Sequence, residues 1–156
     1  LPPSIDIFTR NGAGIAAPQV GRDLSIAVVH IQDNPRYPYK PNVPLTVFVN
    51  PTVTPLTDAT ESVFEGCLSV PGLRGRVDRA MHVRVEAWDR RGQDISFEAR
   101  GLTAGTFQHE FDHLQGVLFV DKVTDPASLT TWENFDAHHR EAFVAEAMEI
   151  RAKYGD

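Results

Sequence analysis

Four short stretches of the chain have the hydrophobic pattern of β-strands. In residues 82–88, the apolar Val83, Val85 and Ala87 alternate with polar or bulky residues, which is typical of a half-buried antiparallel strand. A glycine-containing segment at 89–93 follows, so we expect a hairpin to the next strand. The predicted strands, all alternating or rich in β-branched residues, cover residues 24–31, 45–50, 82–88 and 95–99.

Two longer segments have helical periodicity. The first spans about residues 102–114 and ends before Gly116, a typical helix stop. The second spans about residues 132–153 and carries an apolar stripe, which we expect to pack on the core, with a docking or dimer face as the alternative. The stripe consists of Phe143, Ala147, Ile150 and Tyr154. Because the strands precede the helices, the pattern favours an α+β fold.

A proline-rich segment separates the first two predicted strands. Residues 34–44 contain four prolines, which break both helices and sheet ladders. We therefore expect an irregular, exposed loop with a passive role, with shaping of substrate access as the alternative.

Length, charge and hydropathy narrow the class of protein. The chain has 156 residues, which suits one domain, and its net charge of -6 without a basic patch argues against nucleic-acid binding. It contains no apolar run of about 18 residues and no signal-peptide pattern, so we expect no membrane span. Since the chain begins with Leu1 rather than methionine, we expect a trimmed N-terminus.

The first predicted helix contains the motif HEFDH at residues 109–113. His109 and His113 are four residues apart, so both imidazoles lie on one helix face and can bind one metal ion. Glu110 lies beside the first histidine and can take a proton from water that the metal has activated. Two chance histidines on an exposed helix are the alternative. We expect Asp112 to be an ordinary helix residue, with orientation of a ligating imidazole as the alternative.

A catalytic site of this kind needs a third protein ligand and an open fourth position. A third histidine after Gly116 is excluded, because position 119 is Phe119. Glu133 would complete a site like that of thermolysin-like proteases. Cys67, the single cysteine, lies in a glycine-containing segment and offers a soft thiolate. A lone cysteine is otherwise a small buried apolar residue.

Three separated motifs give the chain a close resemblance to the peptide deformylase family. Residues 12–19 read GAGIAAPQ and resemble the GxGxAAPQ motif of that family, residues 65–69 read EGCLS, and residues 109–113 supply HExxH. The resemblance runs from about residue 12 to about residue 123. It implies antiparallel β-sheets packed around a central metal-binding helix, followed by a C-terminal helix, in one catalytic domain over residues 1–156.

The resemblance also implies an activity, which is hydrolysis of the N-formyl group from the N-terminal methionine of newly synthesised polypeptides. Cys67, His109 and His113 would then bind the metal, and Glu110 would be the general acid and base. Gln19 would donate its side-chain amide to the developing oxyanion, together with the backbone N–H of Leu68.

The substrate-binding residues expected from the resemblance surround these groups. Glycines would let a substrate backbone approach closely and add as a strand, with a simple turn as the alternative. One of Arg74 and Arg79 is expected to pair with Glu65 and hold the loop, with direct substrate contact as the alternative. Leu102 is a candidate wall of the methionine pocket, with plain core packing as the alternative. The candidate set is Gly12, Gly14, Gly66, Arg74 and Leu102.

The cofactor, partners and location also follow from the resemblance. It implies one divalent metal ion per chain, Fe2+ in the cell, with Zn2+, Ni2+ or Co2+ able to replace it. The partners would be N-formylmethionyl nascent peptides and, transiently, the ribosome, although the mixed charges of the last helix do not support that contact. The location would be the bacterial cytoplasm or an organelle. A relative that has lost activity is disfavoured because Glu110 and Gln19 are retained.

Overall fold

The structure is a computed structural model that describes residues 12–156, and it contains two antiparallel sheets. In the larger sheet, of order β1-β2-β3-β6-β7, the strands are β1 (Gly14–Ala16), β2 (Ile26–Ile31), β3 (Val43–Pro55), β6 (His82–Trp88) and β7 (Asp94–Arg100). In the smaller sheet, of order β4-β5-β8, they are β4 (Thr60–Cys67), β5 (Val70–Ala80) and β8 (Thr130–Thr131). The predicted β6–β7 hairpin is present, with His82 paired to Arg100 and Trp88 to Asp94.

A central helix packs against both sheets. This helix, α1 (Gly101–Asp112), contributes Ala104, Phe107 and Phe111 to the core of the larger sheet. Leu102 packs into a second cluster, with residues of the smaller sheet and the C-terminal helix. Because α1 is buried on two sides, it lacks the polar face of a surface helix. The predicted α+β arrangement around a central helix is confirmed.

The long second helix of the prediction is in fact two helices, α2 (Trp132–His138) and α3 (Arg140–Tyr154). The backbone leaves helical geometry at His139, with φ -122° and ψ -23°. The break lets Phe135 and Phe143 pack on the same ring, with centroids 5.1 and 5.5 Å from that of Phe64. The buried stripe of α3 packs on the core, as predicted.

The sequence pattern did not predict β4 and β5, although they form the most extensive strand pairing of the smaller sheet. β5 carries two buried arginines, Arg74 and Arg79, each 1% exposed, and β4 carries Glu65, whose side chain is 9% exposed. Charged residues at buried positions of a sheet interrupt the alternation of apolar and polar residues on which a strand prediction depends. Among the described residues, no helix is long and apolar enough to span a membrane.

The proline-rich loop is irregular, as predicted, but the prediction that it is exposed is wrong for its two tyrosines. Tyr37 and Tyr39 are 7% and 3% exposed and belong to the second core cluster. The Tyr39 ring packs edge-on against Phe143 at 5.1 Å, and Arg36 stacks 4.1 Å above the Trp132 ring. These contacts fasten the loop to α2 and α3.

Candidate metal centre

Three elements bring three potential metal ligands together. His109 lies in the last turn of α1, His113 begins the short 3-10 turn that follows, and Cys67 ends β4. Their ligand atoms all lie within 4.8 Å of one another, and the Cys67 Sγ is 3.3 Å from His113 Nε2. Around one tetrahedral ion, a thiolate at about 2.3 Å and an imidazole at about 2.0 Å lie roughly 3.5 Å apart. The donor set and its spacing therefore fit a divalent metal ion.

The imidazole of His109 is held by a buried carboxylate. Its Nδ1 donates to Glu65 Oε2 at 2.8 Å, which leaves Nε2 on the side of Cys67. Arg79 donates to the same carboxylate from Nε at 2.7 Å and Nη2 at 2.9 Å, and its third donor reaches Asp112 at 2.7 Å. A carboxylate on the far nitrogen of a histidine fixes both tautomer and orientation, as in many metal sites.

Two expectations about these charged residues can now be compared with the structure. Glu65 does pair with one of the two predicted arginines, which is Arg79. Asp112 contacts Arg79 and Lys122 rather than an imidazole, so it acts on the site through Arg79. The sequence analysis missed Glu65 as the partner of His109, although its position two residues before Cys67 was the available signal.

His113 is oriented by the backbone that follows it. Its Nδ1 donates to the carbonyl of Val117 at 3.2 Å, so Nε2 faces Cys67. The chain can return this way because Gly116 adopts a left-handed conformation, with φ 74°. The predicted glycine stop thus also places a hydrogen-bond acceptor for the second histidine.

The Cys67 side chain lies in surroundings that favour the thiolate. Burial alone raises the pKa of the thiol, but hydrogen bonds from His109 and His113 outweigh it and lower the pKa to about 5. The N–H of Ser69 and the amide of Gln19 also point to Sγ, at 3.4 and 3.7 Å. Thiolates rather than thiols ligate metals, so this polarity matches a ligand role.

The carboxyl group of Glu110 is buried beside these ligands, and the residue is 5% exposed. Its Oε2 has no hydrogen-bond partner among the described residues, and burial raises the pKa of the group. A Cβ at Gly14 would lie 2.5 Å from the Glu110 Cδ. Gly14 therefore makes room for this carboxylate, a role that the sequence analysis had not foreseen.

Most of the predicted residues line one cavity, whereas Arg74 and Leu102 do not. Gln19 is oriented by the Ala16 N–H, which donates to its Oε1 at 2.8 Å. One cavity of about 40 Å³ is lined by most of the predicted residues, namely Gly12, Gly14, Gln19, Gly66, Cys67, Leu68, His109 and Glu110. At Gly66, a Cβ would lie 3.0 Å from the Trp132 ring, so this glycine also admits close packing.

Arg74 and Leu102 are not brought to this cavity. The Arg74 guanidinium is buried in an aromatic cage, 3.9 Å from the Phe135 ring centre and 4.5 Å from that of Trp132. Its size and burial make it a packing element, since cations stack favourably on ring faces. Leu102 faces a smaller inner cavity instead. Glu133 is exposed on α2 and does not join the ligand group.

Two residues of the proline-rich loop also line the cavity, and sequence reasoning missed both. The Lys40 ammonium donates to Thr106 Oγ1 at 2.9 Å and lies 5.0 Å from the centre of the Tyr37 ring. Burial lowers the pKa of Lys40, and the charges of Glu65 and Glu110 act in the opposite direction. No local sequence pattern could have placed Tyr37 and Lys40 at this cavity, because the loop and α1 are distant in sequence.

Fold and site together define a class of protein, an α+β fold in which an HExxH helix and a cysteine-bearing strand converge on one group of metal-ligating side chains. Residues 5–128 match the family model described as polypeptide deformylase. "Peptide deformylase 2" of Ralstonia nicotianae is 51% identical over 114 residues, which cover 73% of this chain and 64% of the relative. The chain belongs to the polypeptide deformylase family.

Solved structures agree with this assignment. A class I type b peptide deformylase from Acinetobacter baumannii with Met-Ala-Ser bound matches with a TM-score of 0.71 and 41% identity, covering 75% of this chain and 74% of that one. A peptide deformylase from Synechococcus elongatus in complex with actinonin matches with a TM-score of 0.68 and 34% identity, covering 90% and 69%. The chain spans 64–65% of the length of several curated relatives.

Proposed function

We propose that this protein is a metal-dependent hydrolase that removes the N-formyl group from the N-terminal methionine of newly synthesised polypeptides. The observation that carries the proposal is the convergence of Cys67, His109 and His113 beside the buried carboxylate of Glu110, whose Oε2 has no hydrogen-bond partner among residues 12–156. A purely structural metal site needs four protein ligands and no such carboxylate. We extend the proposal to residues 1–156 as a single catalytic domain.

The metal ligands in this proposal are the Cys67 thiolate and the Nε2 atoms of His109 and His113. Two nitrogen ligands and one sulfur ligand suit iron, zinc, nickel or cobalt, and we propose Fe2+ as the ion in the cell. When bound, the ion would supply Lewis acidity to the formyl carbonyl and to the attacking water.

Glu110 is the group that moves the proton. In its ionised form it accepts a proton from the attacking water, and it then delivers that proton to the amine that leaves. Burial, which raises the pKa of Glu110, makes the carboxylate a stronger base than a carboxylate in water. Gly14 supports this role because it leaves the space that the carboxylate occupies.

Negative charge on the formyl oxygen would be stabilised by two donors. The Gln19 amide is held by the Ala16 N–H on one side and lies 2.9 Å from the Ser69 hydroxyl on the other, so its orientation is fixed before reaction. The backbone N–H of Leu68, at the wall of the same cavity, is the second proposed donor. A preorganised donor of this kind contributes about 3–4 kcal/mol to the transition state.

A peptide substrate suits the surroundings of the cavity. Within the described residues, β1 and β4 are edge strands of their two sheets, and residues next to or within both line the cavity. An extended chain can add to such an edge through main-chain hydrogen bonds. The Met-Ala-Ser tripeptide bound to the Acinetobacter baumannii relative supports a peptide with an N-terminal methionine.

The cellular setting is part of the proposal. N-formylmethionine begins polypeptides in bacteria and in organelles with bacterial-type translation, so we propose the bacterial cytoplasm, with an organelle as the alternative. A reducing compartment also preserves a free thiolate ligand. Ribosome contact stays a prediction.

The proposal is tested by formate release from formyl-Met-Ala-Ser, with protein loaded anaerobically with Fe2+. We expect release by the wild-type protein and a loss of 10²- to 10⁴-fold in kcat for Glu110→Gln, the range for removal of a general base. Glu133→Gln, at an exposed acid of α2, is the matched control and should keep wild-type rates. Absence of formate from the iron-loaded wild type would overturn the proposal.

A further inference from the structure

Ser69 lies next to two groups of the proposed mechanism, the Cys67 thiolate and the Gln19 amide. Cys67 at the end of β4 pairs with Val70 at the start of β5, so Leu68 and Ser69 form the two-residue turn between these strands. A two-residue turn closed by a strand pair has few possible backbone conformations. The backbone of Ser69 therefore has a defined place beside the site.

The hydroxyl of Ser69 is one of two groups that hold the amide of Gln19. The Ala16 N–H donates to Gln19 Oε1 at 2.8 Å, and Gln19 Nε2 donates to Ser69 Oγ at 2.9 Å. Because a backbone N–H can only donate, Oε1 must face Ala16, and the amide cannot flip. Ser69 then holds the Nε2 end, so the amide is bound at both ends by elements of different sheets.

The contact with Ser69 decides where the second N–H of Gln19 points. A side-chain amide is planar and has two N–H donors, so binding one of them to Ser69 determines the direction of the other. The second donor lies on the side of Cys67, whose Sγ is 3.7 Å from Nε2. Loss of the Ser69 hydroxyl would free this end of the amide to rotate about its last side-chain bond.

Ser69 contacts the candidate metal ligand through a different group. Its backbone N–H donates to Cys67 Sγ at 3.4 Å, and a hydrogen bond to a thiolate favours the charged form. The side chain thus serves Gln19, whereas the backbone serves Cys67. A substitution of the side chain removes the first contact and leaves the second, so the two effects can be separated by experiment.

We propose that Ser69 is a positioning residue, whose hydroxyl holds the Gln19 amide so that its second N–H faces the developing oxyanion. The residue acts on the reaction through Gln19 and not through the metal. This inference rests on the proposed deformylase function, in which Gln19 is an oxyanion donor.

Steady-state kinetics with formyl-Met-Ala-Ser test the side chain. Ser69→Ala should lower kcat about two- to tenfold, the effect of one neutral hydrogen bond, and leave KM unchanged, because the amide binds the oxyanion more strongly than the formyl group. Ser69→Thr keeps the hydroxyl and should restore most of the rate. In a Gln19→Ala background, Ser69→Ala should have no further effect, whereas independent roles would give additive losses. Ser62→Ala, at an exposed serine of β4, is the matched control.

A second readout does not depend on activity. In zinc-loaded protein, the side-chain amide signal of Gln19 is assigned by its loss in Gln19→Ala, and its ¹⁵N relaxation reports the order of the Nε2 group. We expect a lower order parameter in Ser69→Ala than in the wild type and in Ser62→Ala. The zinc content should stay the same, because the backbone N–H of Ser69 remains. A loss of zinc in Ser69→Ala would overturn the inference, since the residue would then act through the metal.

The outcomes separate this inference from the proposed function. If the wild-type protein releases formate but Ser69→Ala keeps its kcat, or loses the same factor in the Gln19→Ala background, the inference is overturned while the proposed function stands. If the wild-type protein releases no formate, the proposed function fails and the relaxation measurement decides. A less ordered Gln19 amide in Ser69→Ala then supports the positioning role, and an equally ordered amide refutes it.

Discussion

Replacing Glu65 with glutamine probes the contact that joins the fold to the candidate metal centre. The two oxygens of Glu65 accept three hydrogen bonds, two from Arg79 and one from His109. Glutamine keeps the shape but has a single acceptor oxygen and an NH2 group that can only donate. At least one donor of Arg79 or His109 then faces another donor in a buried site.

The expected magnitude follows from the burial of the pair. The side chains of Arg79 and Glu65 are 2% and 9% exposed, and removing one partner of a buried ion pair costs about 3–5 kcal/mol. Asp112 remains bonded to Arg79, so we expect the lower end of that range. Loss of the carboxylate on His109 should in addition weaken metal binding about 10- to 100-fold.

The assay uses a matched pair of variants. Arg76 and Glu146 form a second arginine–glutamate pair at 2.8 Å, with side chains 30% and 44% exposed, and Glu146→Gln should cost at most about 1 kcal/mol. Urea unfolding of the metal-free proteins gives both free energies, and competition with a chelator gives the metal affinity. Equal losses of stability in the two variants, or an unchanged metal affinity in Glu65→Gln, would refute the reasoning.

Three further predictions concern packing and ionisation. Gly14→Ala places a Cβ 2.5 Å from the Glu110 Cδ, so steady-state kinetics should give a kcat reduced at least tenfold, with a loss of about 1–3 kcal/mol in urea unfolding; wild-type kcat would contradict the assigned role of Gly14. Burial raises the pKa of Tyr37 to about 12 from 10.0, so its contribution to stability is complete below pH 10 and is lost as the pH rises towards 12. The free energy of unfolding, measured with urea, should therefore fall less steeply above pH 10 in Tyr37→Phe than in the wild type, with a difference of up to about 2–3 kcal/mol, and parallel curves would contradict the raised pKa of Tyr37. Phe48→Ala should cost about 3–5 kcal/mol because this ring, 1% exposed, packs on Phe107 and Phe111, whereas Leu45→Ala, at a residue 58% exposed, should change stability by less than about 0.5 kcal/mol.

The parts of the site that lie on one element could be predicted from the sequence. The spacing of His109 and His113 fixes their common face on α1, and Gly116 marks the end of the helix, because both are properties of local geometry. The strand β6 was predicted with its observed bounds for the same reason, since its alternation depends only on its own residues.

Contacts between distant parts of the chain could not be predicted in this way. The role of Gly14 depends on the carboxylate of Glu110, and the position of the Lys40 ammonium depends on the hydroxyl of Thr106. Glu65 of β4 and the buried Arg79 of β5 satisfy one another across strands. From the sequence alone, such charged residues are taken as exposed, because their partners are not known. Side-chain pairing over long sequence distances leaves no periodic signal.

The most direct test concerns the ion that Cys67, His109 and His113 are proposed to hold. Metal content after loading and gel filtration should be close to one equivalent in the wild-type protein and in Glu133→Gln, and should be largely lost in Cys67→Ser, together with formate release. A Cys67→Ser variant that keeps a full equivalent of tightly bound metal, with loss of metal in Glu133→Gln instead, would contradict the proposed centre.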